Sequence, residues 1–135
     1  MIPIENRKLI DAIQVPEEHA ELISAIVGKC REYGSQKGYS PISWKAVPNN
    51  KYFCAYKQGA AARGEGAAII GFENRGEGLC LIFHHVVVDL KGLTVQTSID
   101  KDNRWRRIRI DRPFSDEEIQ YACKLSYQCF DKVFR

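Results

Sequence analysis

The C-terminal third of the chain specifies the start of a helix more firmly than any other part specifies a structure. Ser115 and Glu118 have the spacing of a capping box, in which each side chain accepts a hydrogen bond from the other residue's backbone amide. Phe114 and Ile119 occupy the two positions of a hydrophobic staple around the same start. The sequence therefore predicts a helix that begins near Asp116, directly after an extended segment.

That extended segment is basic and has the alternation of a β-strand. Successive strand residues point to opposite faces, so Trp105, Arg107 and Arg109 share one face. The opposite face carries Arg104, Arg106, Ile108 and Ile110. Guanidinium groups bind phosphates and an indole can stack on an unpaired base, as in proteins that bind single strands. The alternative is a solvated strand whose arginines pair with acids on a neighbouring strand and whose tryptophan packs against a loop.

The candidate binding surface is an argument from local charge. The net charge of the chain is only +3, too small to indicate affinity for nucleic acid by itself. The candidate residues for binding a nucleic acid or another partner are Trp105, Arg107, Arg109, Arg104, Arg106, Arg112 and Arg63. Arg63 is included because it lies in the glycine-rich segment 58–66, which reads as a hairpin tip that could clamp a bound strand.

Composition indicates one globular domain over residues 1–135. With 44% hydrophobic and 27% charged residues, the chain can bury a single core. No apolar run approaches the roughly 20 residues that span a bilayer, so we expect a soluble, cytoplasmic protein without membrane contact. Five cysteines without C-x-x-C spacing indicate reduced, mostly buried thiols and neither a disulfide framework nor a zinc site.

One helix is predicted before the strands. It begins at Pro16 and ends at Gly34, in agreement with the usual preferences for helix starts and ends. Its apolar positions at helical spacing are Leu22, Ile23, Ile26, Val27, Cys30 and Tyr33. Residues 1–15 form either an N-terminal arm or a short helix, and the pattern does not decide between them.

Runs of β-branched and aromatic residues predict about five strands. They cover residues 52–57, 67–73, 79–90, 93–99 and 105–111. The short polar connections 74–78, 91–92 and 100–103 suit hairpins, so a mostly antiparallel meander is the simplest topology. We therefore predict an α+β two-layer sandwich, with an N-terminal and a C-terminal helix packed on one face of the sheet. The long apolar run 79–90 also suggests a homodimer that covers the other face.

A family resemblance is carried by two parts of the chain. The residues concerned are Ser43 to Ala46, Lys51 to Phe53, Ile108 to Asp111, Ser115 to Ile119 and Leu125 to Gln128. They resemble the first strand pair and the C-terminal end of the MmcQ/YjbR proteins. The resemblance covers about a third of the chain and implies a frataxin-like sandwich of two helices on an antiparallel sheet, together with DNA binding. The segments 58–66 and 79–90 do not match that family.

Candidates for metal and nucleophilic chemistry are weak. His84 and His85 are adjacent in a predicted strand and point to opposite faces, so they cannot chelate one metal ion. Asp89 and Lys91 resemble the acid-x-Lys element of metal-dependent nucleases. Such a site needs a second acid shortly upstream, and the acids available there all lie in or beside glycine-rich turns. Cys54 and Cys80 lie in apolar strands, where thiolates are disfavoured, and Cys123 and Cys129 lie on the last helix well past its activating N-terminus.

The sequence thus favours a small, non-enzymatic binding module without cofactor or metal. A nucleic acid bound through the basic and aromatic sheet face is the first hypothesis. The alternative is a protein partner, with the chain acting as an interaction, adaptor or inhibitor domain. A metal-dependent nuclease is a third, remote possibility.

Overall fold

The computed structural model of the chain describes residues 2–58, 68–75, 78–84, 93, 97–99 and 105–134. Its helices are α1 (Ile4–Ala12), α2 (Glu17–Gln36) and α3 (Asp116–Phe134), and Pro48–Asn50 form one 3₁₀ turn. Its strands are β1 (Ile42–Val47), β2 (Tyr52–Lys57), β3 (Ile70–Arg75), β4 (Gly78–His84), β5 (Thr97–Ile99) and β6 (Trp105–Arg109).

The strands form one sheet in the order β1-β2-β3-β4-β6-β5, and every pairing is antiparallel. The prediction of an α+β fold with an antiparallel sheet is confirmed. The simple meander holds only as far as β4, since β6 lies between β4 and β5. Strand β6 suits this interior position because it buries Trp105 on one face and Ile108 on the other. The apolar segment 85–90, predicted to continue β4, lies outside the described residues.

Strand β1 adds a sixth strand to the five that periodicity predicted. Its Ile42, Trp44 and Ala46 pack against the main core, while Ser43 and Lys45 alternate with them. It occupies an edge of the sheet and pairs with β2 from Ile42 to Val47. The segment lacks a run of β-branched residues, which is why only the family resemblance pointed to a strand there.

Helix α2 ends later than Gly34. The left-handed residue that terminates it is Gly38, with φ +78°. The Gly38 amide donates to the Ser35 carbonyl at 3.2 Å, and the Tyr39 amide donates to the Gly34 carbonyl at 2.9 Å, which together are the two bonds of a Schellman motif. Gly34 lies within the helix and is buried. A Cβ atom at Gly34 would overlap the Tyr127 hydroxyl, so this glycine serves helix packing instead of helix termination.

The N-terminal segment is a helix, since α1 covers most of residues 1–15. Its buried Asn6 donates from Nδ2 to the Ser24 hydroxyl of α2 at 3.1 Å. Ile10 and Ile13, at the end of α1, are almost fully buried in the main core. Of the two structures that the sequence left open, the short helix is the one observed.

The main core lies between the helices and one face of the sheet. From α3 it includes Ile119, Ala122, Cys123, Leu125, Tyr127, Cys129 and Phe130. From α2 it includes Ala20, Ile23, Ile26, Val27 and Cys30, with Leu22 partly buried. The predicted packing of both helices on one face is confirmed for these residues. The side chain of Phe134, the last residue of α3, lies outside the described part of the structure.

The predicted capping box begins α3. The Glu118 amide donates to the Ser115 hydroxyl at 3.1 Å, and the Ser115 amide donates to Glu118 Oε1 at 2.9 Å. Phe114 and Ile119 are both buried, as the staple requires. Arg112 adds two hydrogen bonds to the same carboxylate, at 3.1 and 2.9 Å.

Replacing Ser115 by alanine should lower the free energy of unfolding by about 1 kcal/mol, because the Glu118 amide loses its acceptor. Urea denaturation followed by circular dichroism measures this change. The control is Ser40→Ala, at an exposed serine in the connection before β1. Equal midpoints for the two variants would show that the capping hydroxyl contributes nothing.

Two glycines in α2 should respond oppositely to alanine. Gly34→Ala places a Cβ atom against the Tyr127 hydroxyl and should cost about 1–3 kcal/mol of stability through overpacking. At Gly28 no atom lies within 4 Å of an added Cβ, so Gly28→Ala should stabilise the helix by roughly 0.5–1 kcal/mol. Thermal unfolding of both variants tests the pair, and a change of the same sign in both would contradict the assigned helix contact.

Candidate functional site

The candidate residues of β6 lie on the sheet face away from the helices, which we call the distal face. The register pairs His84 with Trp105, Ile82 with Arg107 and Cys80 with Arg109. Ile108 and Ile110 point into the main core on the opposite side. The predicted alternation of β6 is therefore correct. The described residues of the distal face include Ser43, Lys45, Val47, Tyr52, Cys54, Tyr56, Gly71, Glu73, Cys80, Ile82, His84, Trp105, Arg107 and Arg109.

Trp105 is buried, with 5% of its surface exposed. It belongs to a second apolar cluster with Cys54, Tyr56, Ala68 and Ile82. The expectation of an accessible indole on an exposed face is therefore wrong. The cause is the register of the sheet, which sets the ring beside apolar side chains of β2 and β4, where burial stabilises it. In this structure the indole supports the distal face from within and does not offer its ring to a base.

Arg107 forms an ion pair with Glu73 of β3, reaching across β4. Its Nε donates to Glu73 Oε1 at 2.8 Å and its Nη2 donates to Oε2 at 3.3 Å. Only 8% of the glutamate side chain and 18% of the arginine side chain are exposed. A carboxylate so deeply buried requires a partner, so this arginine compensates a charge inside the molecule. The observation agrees with the alternative in which arginines pair with acids on a neighbouring strand.

Arg109 is the exposed arginine of β6. Its guanidinium lies over Gly78, where Nη2 is 3.6 Å from the position of a hypothetical Cβ atom. Gly78 has φ +114°, a backbone conformation that residues with a side chain rarely adopt. Gly78 is the first residue of β4, and because it has no side chain it leaves room above the strand for the Arg109 guanidinium.

The other candidate arginines do not join this group. Arg112 binds Glu118 at the start of α3, where that carboxylate raises the pKa of the guanidinium. Arg106 points to the helix side, opposite Phe83, and its buried Nη1 has no hydrogen-bond partner among the described residues. Arg104 and Arg63 lie outside the described residues. The structure therefore assembles Trp105, Arg107 and Arg109 and separates them from Arg106 and Arg112.

Lys45 belongs to the distal face, although it was not among the candidate binding residues predicted from the sequence. It is exposed and lies opposite Cys54 in the β1–β2 register. The alternation of Trp44, Lys45 and Ala46 was the available signal, but it required β1 to be recognised as a strand. Glu73 was also missed as a partner of Arg107, since the sequence placed it only at the end of a predicted strand, beside a glycine-rich turn.

The described residues contain no group of three or more histidine, cysteine or acidic side chains that could hold a metal ion. His84 is buried, with 5% exposure, at the end of β4. Burial raises the pKa of the Cys129 thiol to about 12, which makes it a poor nucleophile near neutral pH. His85, Asp89, Lys91 and the glycine-rich segment 59–66 lie outside the part of the chain that the structure describes.

Replacing Trp105 by alanine should lower the free energy of unfolding by about 3–5 kcal/mol, because it empties the second cluster. Chemical denaturation measures this loss. Lys45→Ala, on the same face but exposed, provides the comparison and should change stability by less than about 0.5 kcal/mol. A Trp105→Ala protein as stable as the parent would place the indole outside the core.

Comparison of the chain with models of protein families, with curated proteins and with solved structures finds no match. Among the described residues, no helix is both long and apolar enough to cross a membrane.

Proposed function

We propose that the chain is a binding module that holds the phosphate backbone of a nucleic acid against the distal face of its sheet. In this proposal Arg109 and Lys45 contact phosphates, Arg107 compensates the charge of Glu73, and Trp105 maintains the surface beneath them. The proposal differs from the sequence hypothesis in one respect. Affinity comes from charge, without stacking of a base on Trp105.

The observation that carries the proposal is the charge of the distal face. Its residues include the cations Lys45, Arg107 and Arg109 and the carboxylate of Glu73. Arg107 pairs with Glu73, and Lys45 and Arg109 are exposed cations on the same face. Guanidinium and ammonium groups attract phosphates, and such contacts supply most of the affinity in binding that does not depend on sequence.

The spacing of these cations suits an extended ligand. Strand β1, which carries Lys45, lies four strand positions from β6, which carries Arg109. Neighbouring strands are about 4.8 Å apart, so the two strands are separated by roughly 19 Å. An extended backbone that crosses the sheet could contact both cations with different phosphates.

The dependence of affinity on salt concentration tests this proposal. Binding of a short fluorescent single-stranded DNA is measured by anisotropy over a series of salt concentrations. The affinity should fall steeply with salt, and Arg109→Ala and Lys45→Ala should each reduce the slope of log affinity against log salt by about one unit. Lys124→Ala, an exposed lysine of α3 on the other side of the molecule, should leave the slope unchanged.

Four results would contradict the proposal. Absence of binding at low salt removes it, and an equal effect of Lys124→Ala shows adsorption without a defined site. A complex with a protein partner whose affinity is insensitive to salt would favour the protein-interaction alternative. Cleavage of the oligonucleotide after addition of magnesium, lost in Asp89→Ala, would instead favour the nuclease.

A further inference from the structure

Two cysteines that lie far apart in sequence meet between α2 and α3. Cys30 Sγ donates a hydrogen bond to Cys123 Sγ at 3.5 Å, across a sequence separation of 93 residues. Both side chains are fully buried. No sequence pattern connected these two cysteines, and neither of them lies on the proposed binding surface.

Specific contacts bring α2 and α3 close together beside the two cysteines. Tyr127 packs on Gly34 and donates from its hydroxyl to the Cys30 carbonyl at 2.9 Å. Ser126 donates to the Ala122 carbonyl at 2.9 Å, and its hydroxyl lies 3.8 Å from Cys30 Sγ. Small residues and these hydrogen bonds hold the two thiols together. A disulfide has an S–S distance of about 2.05 Å, so the sulfurs must approach by about 1.5 Å to form one.

The two thiols differ in their chemistry. The hydrogen bond from Cys30 lowers the pKa of Cys123, and the positive charge of Lys29 acts in the same direction, although burial opposes both. The same hydrogen bond, together with burial, raises the pKa of Cys30 well above its ordinary value. Since a thiolate is the reactive form of cysteine, these directions favour Cys123 as the thiol that is oxidised first and Cys30 as the resolving thiol.

A groove of about 900 Å³ is lined by residues of α2 and α3, the two helices that carry the pair. Its lining includes Lys29, Gln120 and Lys124 but neither cysteine. A small hydroperoxide therefore reaches the buried thiols through local opening of the helices.

We propose that Cys30 and Cys123 are a redox modification site, at which a hydroperoxide forms a disulfide between α2 and α3. The Cys123 thiolate attacks one peroxide oxygen, the O–O bond breaks, and the leaving oxygen takes up a proton to form water or an alcohol. Cys123 is then a sulfenic acid. The Cys30 sulfur attacks the Cys123 sulfur, the S–O bond breaks, and the hydroxyl leaves as water with the Cys30 proton. Two thiols are oxidised and one peroxide is reduced.

The other cysteines provide an internal comparison. Cys80 is half-buried and is the most exposed of the five, so oxidation governed by exposure alone would modify it first. Cys129 is buried, and its raised pKa disfavours reaction. The proposal thus predicts oxidation of Cys30 and Cys123, whereas exposure alone predicts oxidation of Cys80.

Mass spectrometry of the wild-type protein tests the site. The protein is treated with hydrogen peroxide, its remaining thiols are alkylated, and it is digested without reductant. We expect a linked peptide pair that contains Cys30 and Cys123, an intact mass lower by two hydrogen atoms, and recovery of the parent mass with dithiothreitol. The same linked pair should form in Cys80→Ser.

Two further variants test the order of the steps. In Cys30→Ser, dimedone should label Cys123 as a sulfenic acid, whereas in Cys123→Ser it should leave Cys30 unlabelled. The proposal is overturned if wild-type protein yields no linked pair while Cys80 is oxidised, or if the pair joins other cysteines. Labelling of Cys30 in Cys123→Ser would overturn the assignment of the nucleophile. The experiment on the wild-type protein tests whether the disulfide between Cys30 and Cys123 forms, even where a variant fails to fold.

Discussion

The contact between Tyr127 and Gly34 sets the distance between α2 and α3, and the helical layer depends on it. A hydroxyl at this position reaches the Cys30 carbonyl only because Gly34 carries no side chain. The Tyr127 ring also packs against Tyr39 and Phe130, with centroid distances of 4.5 and 5.8 Å. Burial raises the pKa of the Tyr127 hydroxyl well above its ordinary value. The Schellman end of α2 places Tyr39 in the same cluster.

Local patterns predicted local structure correctly because the interactions concerned lie within a few residues. The capping box of Ser115 and Glu118 needs only one helical turn, and the alternation of β6 needs only an extended backbone. The end of α2 was misplaced because two glycines near the end of a helix look alike in sequence. Their roles separate only in three dimensions, where Gly34 meets Tyr127 and Gly38 adopts a positive φ.

The candidate site was predicted less completely because its character depends on pairing between distant strands. The sequence placed Trp105 and Arg107 on the correct face, but their environment comes from β2, β3 and β4. Glu73 is 34 residues from Arg107 in sequence, and a register shift of one residue would turn it to the opposite face. Neither the burial of the indole nor the ion pair has a signal within the basic segment itself.

The residues of the distal face contribute unequally to the stability of the fold. Trp105 and Arg107 are held inside the molecule, so changing them alters packing or leaves a buried carboxylate without its arginine. Arg109 and Lys45 are exposed and contribute little to either core. Loss of an exposed cation leaves no cavity, and under the proposed function it removes one contact with a phosphate. A change of binding in these two positions therefore reports on the surface, whereas the same change at Trp105 would report first on the fold.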